Sequence, residues 1–75
     1  MFSNEVQEEL EVLSLFSSDS MQEGIKVHAS ADPKVISATK RLNSKGLITQ
    51  IDGGYLTPLG IEAHELAIKL NSIMV

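Results

Sequence analysis

Apolar positions recur along this chain with periods that change from one segment to the next. Phe2, Val6, Leu10, Leu13 and Phe16 stand at helical spacing. Asn4 with Gln7 three residues on forms a capping pair, so a first helix is expected over 4–16. Its glutamates, Glu5, Glu8, Glu9 and Glu11, lie near the start, where the helix dipole favours negative charge. The polar run Ser17-Ser18-Asp19-Ser20 ends it.

The next segment has two readings. Ser20 and Glu23 form a capping box that opens a short helix over 20–28, through Met21 and Ile25 to His28. Alternatively, Ile25-Lys26-Val27 is a short strand, and Gly24 costs the helix about 1 kcal/mol relative to Ala. Length and caps favour the helix.

A third helix is expected over 33–45, with Asp32 as N-cap, Pro33 at the first helical position and Gly46 as the stop. Val35, Ile36, Ala38 and Leu42 cluster on one side of its wheel. Ser37, Lys40, Arg41 and Ser44 fall opposite, with Lys34 on the flank. Two β-rich runs, Leu47 to Ile51 and Tyr55 to Thr57, surround Asp52-Gly53-Gly54 and predict a hairpin over 47–57. Thr57 then caps a last helix over 58–73, with Pro58 at its first position. Leu59, Ala63, Leu66, Leu70 and Ile73 form a heptad-like stripe along it, and Ile61, Ile68, Met74 and Val75 lie off that stripe.

Seventy-five residues, 43% of them hydrophobic, provide for one domain over 1–75, mainly α with a small β-hairpin. The absence of cysteine excludes a disulfide framework and a Cys-based zinc site. The acidic N-terminus is unlike a signal peptide, and no stretch approaches the roughly 20 apolar residues of a membrane span. A cytoplasmic protein without membrane partners is the expectation. The net charge of −4 opposes nucleic-acid binding as a whole, but its distribution is uneven. Residues 26–45 carry Lys26, Lys34, Lys40, Arg41 and Lys45 against Asp32 alone, and binding responds to the local field.

The order helix, helix, helix, hairpin, helix resembles a winged helix-turn-helix domain. The run Arg41-Leu42-Asn43-Ser44-Lys45-Gly46-Leu47-Ile48-Thr49 looks like a recognition helix entering the first wing strand. Gly53-Gly54-Tyr55-Leu56-Thr57-Pro58-Leu59-Gly60 looks like the second wing strand entering the final helix. Similar junctions occur in MarR-like and PadR-like bacterial regulators. The chain is also similar to a family of short, uncharacterised bacterial proteins labelled as DNA-binding. The junction match spans about residues 33–60, and these residues also have structural reasons to be there.

The resemblance implies that the third helix enters the major groove of double-stranded DNA, with Lys34, Ser37, Lys40, Arg41 and Ser44 as contacts. Arg41 has the fork for a bidentate contact to guanine, and the lysines suit phosphate. The wing, Asp52-Gly53-Gly54, is short and carries an acid in place of a base. Few cations on one chain bind weakly, so useful affinity calls for a dimer. The stripe Leu59, Ala63, Leu66, Leu70 and Ile73 serves either as that dimer seam or as a core seam packed on the Phe2–Phe16 stripe. The second functional reading is a protein-interaction module on the same scaffold, suggested by the acidic first helix, the wing without a base and the apolar last helix. His28 and His64 read as surface or boundary residues, and Tyr55 as packed against the core. No metal-ligand spacing, cofactor loop or catalytic constellation occurs in the sequence, so neither an enzyme nor a cofactor is expected.

Overall fold

A computed structural model describes residues 1–17, 19 and 23–75. Helix α1 spans Asn4–Leu13, strand β1 Ile25–Lys26, helix α2 Pro33–Ser44, β2 Ile48–Gln50, β3 Gly53–Leu56 and helix α3 Pro58–Met74. Among the described residues the architecture is three helices and a three-stranded antiparallel sheet in the order β1-β3-β2.

The first helix begins where expected, but its cap is Ser3. The Ser3 hydroxyl accepts from the Val6 N–H at 3.1 Å, and the Gln7 side chain reaches back to the Phe2 carbonyl. The regular helix stops at Leu13, three residues short of the expected end. The helix expected over 20–28 is not present in its described part. Ile25–Lys26 instead pair with Gly54 and Gly53 of β3, and the Val27 N–H donates to the Asp52 carbonyl at 2.8 Å. Ser20, Met21 and Gln22 of that segment lie outside the described residues.

The reason is tertiary. Gly53, at φ 132°, has no side chain where β1 crosses, and a Cβ there would collide with the Ile25 carbonyl. The otherwise open edge of β3 thereby gains a partner, which outweighs the capping signal. Among the described residues a single helix, α2, separates β1 from β2.

Helix α2 matches its expected span to within a residue. The Asp32 carboxylate accepts from the Lys34 N–H at 2.8 Å, and Pro33 occupies the first position. The end at Gly46 is a Schellman turn. The Leu47 N–H donates to the Leu42 carbonyl and the Gly46 N–H to the Asn43 carbonyl, both at 3.0 Å. The hairpin is shifted from its expected turn. Gln50 pairs with Gly53, so Ile51-Asp52 make the turn and the two glycines belong to β3. The ladder is irregular between Ile48 and Gln50, where the Thr49 hydroxyl accepts from the Tyr55 N–H at 3.0 Å.

Val12, Leu13 and Phe16 from the α1 segment, Ala38 and Leu42 from α2, and Ile48 and Leu56 from the hairpin form one core. Thr39, fully buried, returns its hydroxyl to the Val35 carbonyl at 2.7 Å. Tyr55, expected inside, is half exposed. His28 is at the surface as expected, but His64 is not: it is 1% exposed, and its Nε2 donates to the Phe16 carbonyl at 3.0 Å. A carbonyl only accepts, so the proton is on Nε2 and Nδ1 is left as a buried acceptor without a partner.

Candidate nucleic-acid interface

Two helices determine which cations of the basic segment are available. α1 packs along the back of α2, against Ala38 and Leu42, so the α2 front points away from it. Lys34, Ser37, Lys40 and Ser44, four of the five residues expected to form a contact face, are exposed, with Lys34 on the flank in a groove it shares with Glu8 and Glu11 of α1. Arg41 is not free on that face. Its Nε donates to Glu9 Oε2 at 2.7 Å, and its Nη2 lies 3.2 Å from the Glu5 carbonyl and 3.4 Å from Glu8 Oε1.

Glu9 is the centre of this network. It is 4% exposed, and its second carboxylate oxygen pairs with the Lys45 ammonium. Burial alone would raise its pKa, but hydrogen bonds from Lys45 and Arg41 outweigh that and hold the carboxyl below its ordinary value. Arg41 is shifted upward in turn, chiefly by its hydrogen bond to Glu9. The sequence contained the signal for this. Glu9 stands three, four and seven residues before Val12, Leu13 and Phe16, so an acid lies on the buried stripe and requires a cation from a neighbouring element.

Subtracting Arg41 and Lys45 leaves Lys26, Lys34 and Lys40 as the unpaired cations of the segment. Lys26 was not among the expected contacts, and β1 is what positions it. It shares a shallow depression of about 540 Å³ with His28, Lys40, Ile51 and Asp52, between β1, α2 and the hairpin turn. The Lys40 side of α2 therefore continues into a concave surface that ends at the hairpin turn. Asp52 is half-buried at its rim and opposes the lysines. Among the described residues no group of three or more His, Cys, Asp or Glu is placed to hold a metal ion. No helix there is long and apolar enough to cross a membrane.

The family of unknown function DUF5669 matches residues 1–75, the whole of the sequence. The chain belongs to that family. No curated protein and no solved structure matches it.

The last helix carries the second expected seam. α3 buries Gly60 and His64 on its inner face, and its Ile61 and Ala63, with Leu47 of the hairpin segment, pack beside the core. Of the stripe, Ala63 packs against the core and Leu70 lines a groove with Leu10 of α1, but most of it is uncovered. Leu59 is 53%, Leu66 61%, Leu70 43% and Ile73 74% exposed, with Ala63 alone half-buried. At 100° per residue, the inner face and this stripe lie roughly 120° apart around the helix.

Proposed function

We propose that this protein is a DNA-contacting domain of winged-helix type that uses the α2 front and the adjoining depression. The observation that supports this reading is the segregation of charge. Lys26 and Lys40 stand unpaired beside the depression, near the exposed hydroxyls of Ser37 and Ser44, with Lys34 unpaired on the flank of α2, while Glu8 and Glu9 of α1 neutralise Arg41 and Lys45. Lysine is a flexible point charge suited to phosphate, and with Arg41 engaged the face offers no guanidinium fork for a guanine edge. Contact to the backbone therefore dominates over base readout.

Three cations give a binding constant that falls roughly 40-fold between about 50 and about 200 mM salt, from a slope of about −0.9 per neutralised phosphate. A titration of labelled protein with a mixed-sequence duplex tests this. Shifts are expected at residues 26–28 and 33–44, fading with salt, and lost in the Lys34→Glu, Lys40→Glu double variant. Undiminished binding by that variant, or shifts confined to another face, would refute the proposed site. Arg41→Glu is not a clean test, because it also breaks the contact between α1 and α2.

A second reading, a protein-interaction module on the same scaffold, is favoured by the exposed apolar side of α3. It predicts partner binding that is indifferent to Lys40→Glu and sensitive to Leu66→Glu, measured by the same titration with the partner in place of the duplex.

A further inference from the structure

We infer that the exposed stripe of α3 pairs with the same stripe of a second copy, the two helices running antiparallel. This does not depend on whether DNA is bound, because it rests on surface area and on the charges that flank the stripe.

The accessible surface of the chain is 5161 Å², whereas a compact monomer of its 8.1 kDa is expected to expose about 4500 Å². The excess, roughly 650 Å², approaches the ~800 Å² that each partner contributes to a standard interface. Much of the exposed apolar surface is on α3, at Leu59, Leu66, Leu70 and Ile73. The inner face of the same helix is occupied by the fold, through Gly60 and His64. A second helix therefore has one apolar side to meet.

The flanking charges select the direction and register. In heptad terms Ala63 and Leu70 are a positions, Leu59 and Leu66 are d positions, and Glu62 and Lys69 are both g positions. A parallel pair places Glu62 beside Ala67 and Lys69 beside Met74 of the other copy, with no charge matched. An antiparallel pair sets g against g. In the register that opposes Leu59 to Leu70 and Ala63 to Leu66 of the other copy, Glu62 meets Lys69 twice, once on each side of the twofold axis. Sliding by one heptad brings Lys69 against Lys69 and is disfavoured. The selected register also sets small Ala63 against large Leu66, so the layers interdigitate.

Sedimentation equilibrium from about 5 to about 200 µM, without nucleic acid, tests the pairing. The expected result is reversible association to twice the 8.1 kDa chain. Leu66→Glu, at a site already exposed, should keep the parent's circular dichroism and weaken the dimer at least 100-fold. Glu62→Lys and Lys69→Glu should each weaken it about 5-fold, and the double exchange should return it to within about 2-fold of the parent. A chain that stays at 8.1 kDa throughout, or a dimer that survives Leu66→Glu, overturns the proposal. A double exchange that fails to recover overturns the antiparallel register. None of these outcomes bears on the lysine face, which Lys34→Glu and Lys40→Glu probe separately.

Discussion

Replacing Glu9 by Gln tests the claim that two cations of the basic segment serve the fold. The amide keeps the shape of the side chain and still accepts from Arg41 Nε, but its NH2 end now faces the Lys45 ammonium, donor against donor. Charge-assisted hydrogen bonds contribute about 1.5–3 kcal/mol and neutral ones about 1. Losing the carboxylate thus removes about 2 kcal/mol at neutral pH, after allowance for the screening of Lys45, whose side chain is 49% exposed. A domain of this length has a stability of about 4–11 kcal/mol, so the loss is a large share of the total. The midpoint of thermal unfolding should fall by roughly 10 °C.

The pH dependence identifies the cause. Folding holds the Glu9 carboxyl below its ordinary value of 4.5. Its contribution is complete above that value and disappears as pH falls through the lower, folded value. Urea unfolding of parent and variant should differ by about 2 kcal/mol at pH 7 and converge in acid. A gap at pH 7 that persists unchanged at low pH would show that packing, not charge, is responsible. Equal stability at pH 7 would refute the network as a stabilising element.

Other perturbations follow from single contacts. In Gly60→Ala the new Cβ would strike the Leu47 carbonyl, so α3 must shift away from the hairpin; a cost of about 3 kcal/mol in urea unfolding is expected. His64→Ala should cost about 3 kcal/mol through the cavity it leaves. His64→Phe fills that space and removes the unpartnered Nδ1, but strands the Phe16 carbonyl, and should cost only about 1–2 kcal/mol. Nitrogen-15 shifts of the imidazole should report a proton on Nε2, and a ring with its proton on Nδ1 and none on Nε2 would contradict the bond to Phe16.

Much of the fold was legible because its signals are local. Asp32-Pro33 and Thr57-Pro58 each start a helix where the residues indicate, and the Thr57 hydroxyl accepts from the Gly60 N–H at 3.0 Å. After α1 the alternative strand at Ile25-Lys26 holds and the favoured helix does not, because the pairing depends on Gly53 and Gly54, about thirty residues away, which no window around Ser20 and Glu23 contains. On α3 the periodic stripe is conspicuous and mostly exposed, while the buried positions are Gly60 and His64, one without a side chain and one polar, so they do not stand out. A helix apolar on both sides offers two candidate inner faces, and spacing alone does not rank them. The exposed side of α2, with Lys40 on it, was legible because it needs only helical period. Removing Arg41 from it required the partner helix, and adding Lys26 required β1.

Thr57 joins three parts of the molecule at one point. Its hydroxyl donates to the Gly46 carbonyl at 2.6 Å while capping α3, and its N–H donates to the Leu47 carbonyl at 3.1 Å. The end of α2 and the beginning of α3 are therefore fastened together with no free linker between them. Mechanically this is a fixed elbow, in which the direction of one helix determines that of the other. If two copies join along α3, their lysine faces are carried at a set distance and orientation, as on a rigid frame. The spacing between two contacted sites on a duplex then becomes a property of this elbow, and loosening it with Thr57→Val would blur that spacing without touching a single lysine.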